Sequence, residues 1–132
     1  MTDFDPCYAD AEVLSKALVQ AELFDSKITG MQLLKPVETP RPGVKSDHAI
    51  FQDVIELLEG HSMAAIKPSD YTKVEAIMWD SSNHLLMVCS INTDKRLLID
   101  MGFTRLINDF WEDTLSTRRF ACNCALWLSG QI

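Results

Sequence analysis

The alternation of apolar and polar positions divides the chain into a helix, a run of short strands and a second helix. Behind Asp5-Pro6, the residues Ala11, Leu14, Ala17, Leu18 and Ala21, with Val13 nearby, recur at helical spacing. They predict a helix from about Tyr8 to Phe24 with a buried apolar stripe. Proline suits a helix start, and the early acids Asp10 and Glu12 favour the positive end of the helix dipole. Beyond Gly30, Leu33, Leu34 and Val37 predict a short strand. Pro36, Pro40, Pro42 and Gly43 then predict an exposed loop without regular structure over residues 36–45. A short helical turn is expected from Ser46-Asp47-His48 through Ile50, Phe51 and Val54, closed by Leu57-Leu58-Glu59-Gly60.

Strands follow. Ser62–Ile66 is a short one ending at Pro68, Val74–Trp79 is better defined, Leu85–Asn92 is mainly apolar, and Arg96–Met101 is the last. Asp80-Ser81-Ser82-Asn83 and Asn92-Thr93-Asp94-Lys95 are turn signals, and turns this short imply antiparallel pairing. A final helix is expected from about Leu115 to Leu128, capped by Gly130. The fold class is therefore α+β: an antiparallel strand meander packed with N- and C-terminal helices, in a single domain over residues 1–132. The strands Leu85–Cys89 and Leu97–Ile99 are apolar on both faces, which is the pattern of a sheet covered on both sides. Two helices and one turn are too little cover, so the sheet is expected to belong to a larger sandwich.

Composition narrows the function classes. With 47% hydrophobic residues, the chain has enough apolar mass for a core. The net charge is −7, concentrated in residues 1–59, which carry eleven carboxylates against five Lys and Arg. Such a chain repels phosphate backbones, so no nucleic-acid binding is expected. No apolar run reaches the roughly 18 residues of a membrane span. The acidic start MTDFDPCYAD is unlike a secretory leader and reads as a natural start, which points to the cytoplasm. The alternative that the chain is a fragment of a longer protein stays open.

In a reducing compartment the four cysteines, Cys7, Cys89, Cys122 and Cys124, are free thiols. Cys89 reads as a small core residue in an apolar strand. Cys122 and Cys124, two apart in a helix, point in different directions, and the C-x2-C spacing of a zinc site does not occur. No metal and no cofactor is expected.

The sharpest chemical cluster is Asp100, Thr104, Arg105 and Arg118, gathered where the last strand meets Gly102. A carboxylate at the end of an apolar strand needs a partner, and Arg105 or Arg118 supplies it as a bidentate pair. The plain reading is an internal salt bridge; the functional one is anion or carboxylate recognition. A His48–Asp100 pair is a further alternative. Cys7, ahead of the first helix, is a weak nucleophile candidate, and no catalytic residue is assigned. Phe103, Phe110 and Trp111 cluster in an irregular segment and read as an interface.

The order of these motifs resembles the C-terminal half of flavodoxin-like domains related to class I glutamine amidotransferases. The likeness is to an uncharacterised branch found beside von Willebrand A-type domains. It is carried by Asp5-Pro6-Cys7-Tyr8-Ala9-Asp10-Ala11, by His48 to Val54, by Leu57-Leu58-Glu59-Gly60, by Ile99 to Leu106, and by Thr117 to Leu128. The pattern would have glycine at Met101, proline at Ala49 and glycine near Leu115-Ser116. The resemblance implies a truncated α/β half-domain, because the parallel strands that precede the first helix in such domains have no counterpart here. The amidotransferase His-x-Glu and Gly-x-Cys-x-Gly are absent from the sequence. The expectation is thus a non-enzymatic interaction or scaffold subunit. It would complete its sheet by forming a homo-oligomer or by binding a protein partner. The alternative is a degenerate amidotransferase-like enzyme or small-anion-binding domain, its site around Asp100, Thr104, Arg105 and Arg118.

Overall fold

The computed structural model describes residues 9–25, 32–38, 42–60, 64–107 and 115–132. Its elements in chain order are α1 (Ala9–Val19), β1 (Ala21–Asp25), β2 (Leu33–Leu34), β3 (Pro36–Val37), β4 (Gly43–Lys45), a 3-10 turn (Ala49–Phe51), β5 (Leu57–Leu58), β6 (Ala64–Pro68), β7 (Val74–Trp79), β8 (Leu85–Ser90), β9 (Leu98–Asp100), a second 3-10 turn (Phe103–Leu106) and α2 (Leu115–Leu128). The class is α+β. A five-stranded sheet runs in the order β3-β4-β7-β8-β9, with two-stranded ribbons β1-β6 and β2-β5 beside it.

The β7–β8–β9 meander and α2 form where the pattern places them. Asp80 sets the first turn: its Oδ1 accepts from the backbone N–H of Ser82 and of His84, both at 2.8 Å. Asn83 takes the left-handed conformation that asparagine tolerates, at φ 68°. α2 ends at Gly130, φ 77°, whose N–H donates to the Trp127 carbonyl at 3.0 Å, while Gln131 reaches Leu126 at 2.9 Å. This is the glycine stop expected there.

The first helix is shorter than its periodicity suggests. Gln20, at φ 55°, turns the chain out of α1, and Ala21 to Phe24 then alternate buried and exposed as a strand paired with β6. The expected buried stripe is not there. Ser15 and Val19 face inward, whereas Val13, Leu14 and Leu18 are 67%, 61% and 60% exposed.

The proline-rich loop also differs from expectation. β3 and β4 pair in parallel, Pro36 with Val44 and Val37 with Lys45. The pairing depends on Gly43, at φ 136°, where a Cβ would lie 2.8 Å from both the Lys35 carbonyl and the Val37 side chain. Pro36 sits on the edge strand, where its missing N–H costs no ladder bond.

Cover for β8 comes from the chain itself, which corrects the expectation of a larger sandwich. β6 packs against β8 on the ribbon side, while α2 packs against the first 3-10 turn, β5 and the second 3-10 turn. Every residue from Leu85 to Cys89 is buried. Phe51 and Phe120 stack at 5.9 Å within this core, and Asn123 Nδ2 ties α2 to the turn through the carbonyls of Ile50 at 3.1 Å and Gln52 at 2.8 Å.

Candidate functional site

Of the four residues singled out at the end of the last strand, the fold brings two into direct contact. Asp100 closes β9, and its Oδ1 accepts from the Gly102 N–H at 2.9 Å. The 3-10 turn then wraps Arg105 back beneath the strand, where it is 0% exposed. One guanidinium nitrogen, Nη1, donates to Asp100 Oδ1, Nε donates to the Leu58 carbonyl at 2.7 Å, and Nη2 donates to the Glu59 carbonyl. The guanidinium also lies 5.9 Å from the Phe120 ring centre. Arg105 thereby joins β5, β9 and α2 as an internal ion pair. Thr104 is half-buried in the same turn, and Arg118 lies on the exposed side of α2, so the Arg118–Asp100 alternative falls away. The proposed interface residues Phe110 and Trp111, and the side chain of Phe103, lie outside the described residues, as do Cys7 and His61.

His48 lies elsewhere. It caps the first 3-10 turn, its Nδ1 accepting from the Ile50 N–H at 3.3 Å. Its partner on the other side is Cys89 rather than Asp100: His48 Nε2 and Cys89 Sγ are 3.4 Å apart. Cys89 faces Glu75 directly across the β7–β8 ladder. Ligand atoms of His48, Glu75 and Cys89 all lie within 4.8 Å of one another. Trp127 and Phe51 enclose the imidazole at 5.8 and 6.3 Å between ring centres. Lys45 Nζ holds Glu75 Oε1 and lies 3.6 Å from Asp47.

A cysteine, a histidine and a carboxylate are also the components of a thiol-hydrolase triad. The electrostatics are opposite to what that chemistry needs. Burial, with Glu75 adding to it, pushes the Cys89 thiol up to about 12, and burial holds His48 below its ordinary value. Both groups are neutral near pH 7, so no thiolate–imidazolium nucleophile forms. Nor does Glu75 orient the imidazole; its carboxylate is held by Lys45 while Nδ1 faces Ile50.

Only the hairpin that carries half of this cluster was legible in advance. A turn over Asp80 to Asn83 alone would set residue 75 opposite residue 88; the observed ladder, irregular between Ala76 and Trp79, sets Glu75 opposite Cys89. Nothing in the local pattern says that His48, 41 positions before Cys89, lies over that pair.

A second surface feature was not anticipated. A groove of about 580 Å³ is lined by Leu18, Ile91 and Leu97 together with Lys73, Lys95 and Arg96. It gathers three of the twelve Lys and Arg of an acidic chain beside the bare face of α1. Among the described residues, no helix is long and apolar enough to cross a membrane. Comparison with family models, with curated proteins and with solved structures finds no match.

Proposed function

We propose that this chain is a non-enzymatic interaction subunit that covers an apolar face by pairing with a second copy of itself. The observation that carries this reading is α1, whose Leu14 and Leu18 project one turn apart into solvent with Val13 beside them. A contiguous apolar stripe on an amphipathic helix marks an association surface. Charge complementarity favours a second copy. The groove that Leu18 helps to line presents Lys73, Lys95 and Arg96 on a chain of net charge −7, while Glu12 on α1 is held by Lys16 at 3.1 Å. In a two-fold pair, α1 of each protomer meets the groove of the other, so both sets of contacts form twice.

The kinship with amidotransferase-related domains belongs to this proposal, supported by the Gly102 to Leu106 block and the Thr117 to Leu128 motif. So does a cytoplasmic location, which suits the free thiols Cys89, Cys122 and Cys124.

Light scattering across a dilution series tests the reading. The wild-type chain should elute at twice its 14.9 kDa mass, and Leu14→Asp with Leu18→Asp should elute at that mass with an unchanged melting temperature. A wild-type monomer at every concentration overturns it.

A further inference from the structure

We propose that His48, Glu75 and Cys89 form a binding site for a borderline-soft divalent cation of the Zn²⁺ class, with a fourth coordination position left open. The donor set selects the metal. Thiolate and imidazole favour zinc, whereas calcium and magnesium take oxygen ligands. Spacing agrees with this. Zinc–sulfur and zinc–nitrogen bonds of about 2.3 and 2.0–2.1 Å at a tetrahedral angle separate the two donors by roughly 3.6 Å; His48 Nε2 and Cys89 Sγ stand 3.4 Å apart. Glu75, the cross-strand partner of Cys89, offers its carboxylate from the same side of the sheet.

Charge also balances. A divalent ion with the Cys89 thiolate and the Glu75 carboxylate is neutral as a unit, which suits a half-buried site. Binding releases one proton, from the Cys89 thiol. The Nε2 proton of neutral His48 is replaced by the metal while Nδ1 takes up a proton, at the cost of the 3.3 Å contact from the Ile50 N–H. Lys45 keeps one Glu75 oxygen and so acts as the supporting hydrogen-bond donor that ligating carboxylates commonly have. Burial disfavours the thiolate only while the site is empty, because a coordinated metal deprotonates a thiol outright. Trp127 of α2 and Phe51 of the first 3-10 turn lie against the imidazole, and the partial exposure of His48 and Glu75 gives a fourth ligand access from solvent.

The site is independent of the α1 surface, so either proposal can fail alone. The test uses the full chain after chelator treatment, titrated with Co²⁺ and with Zn²⁺ against a chromophoric competitor. One equivalent of Co²⁺ should bind with a thiolate-to-metal charge-transfer band and the intense visible absorption of four-coordinate cobalt. Cys89→Ser should remove the band, Cys122→Ser should keep it, and His48→Gln and Glu75→Gln should weaken Zn²⁺ by at least roughly tenfold. Cooperative melting of each metal-free variant checks folding. If Cys89→Ser does not melt cooperatively, the two partly exposed variants decide. No stoichiometric binding by the wild-type chain, a band that survives Cys89→Ser, or unchanged affinity in both His48→Gln and Glu75→Gln overturns the proposal.

Discussion

Arg105 and Asp100 form a buried ion pair across the turn that follows β9, with the arginine fully shielded and its other nitrogens on the carbonyls of Leu58 and Glu59. Removing one partner strands the other charge. Arg105→Met should therefore cost about 3–5 kcal/mol in chemical denaturation. Adding Asp100→Asn should cost less than the sum of the two single changes. An additive pair would mean that the two side chains act separately.

Gly102 is required for space rather than for its backbone angle. A Cβ there would overlap the Arg105 guanidinium and lie 2.5 Å from the Glu59 carbonyl. Gly102→Ala should therefore lower the melting temperature, and the Arg105→Met background should recover only part of that loss, because the Glu59 carbonyl still stands in the way.

Asn123 holds α2 to the first 3-10 turn through two carbonyls. Asn123→Ala leaves both without their side-chain donor and should cost about 1–3 kcal/mol. A change within a few tenths of a kcal/mol in urea unfolding would show that these carbonyls find other donors.

His48 gives the fold a pH dependence of known sign. Burial places its folded pKa below the ordinary 6.5, with Glu75 only partly opposing. The unfolded chain thus binds the proton first as pH falls. The stabilising contribution is complete above about 6.5 and is lost as pH falls through 6.5 toward the folded value. The stability difference between wild type and His48→Gln should shrink between neutral pH and about pH 5. A constant difference over that range would contradict the assignment.

Thiol reactivity should divide by burial. Cys89 and Cys124, both pushed up to about 12 by burial, should resist a haloacetamide near neutral pH, whereas exposed Cys122 should be modified in the native protein. Mass spectrometry of digested, partly labelled protein reads this directly. Labelling of Cys89 at the rate of Cys122 would show that the site over it is open.

The meander was readable because its two turn signals fall where the chain reverses, although β8 and β9 are shorter than their apolar runs and the β7–β8 register is irregular between Ala76 and Trp79. The Asp100–Arg105 pair was readable because five residues separate its members. β1 was misread because Ala21 fits the helical period of the preceding residues as well as the alternation of a strand; Gln20, at φ 55°, decides between them. The exposure of Leu14 and Leu18 was misread for a related reason. Helical spacing identifies a face but not whether another element packs on it.

By itself, the sequence determined what depends on neighbours in the chain: the β7–β8–β9 hairpins, α2 with its Gly130 stop, and a carboxylate that needed an arginine. Only the tertiary structure decided the rest. The β1–β6 ribbon covers β8, Gly43 permits the parallel β3–β4 pair, no other segment of the chain covers Val13, Leu14 and Leu18 of α1 among the described residues, and His48 comes to lie over Glu75 and Cys89. Each of these depends on surfaces from distant segments meeting, and a local period carries no information about which surfaces will be left to meet.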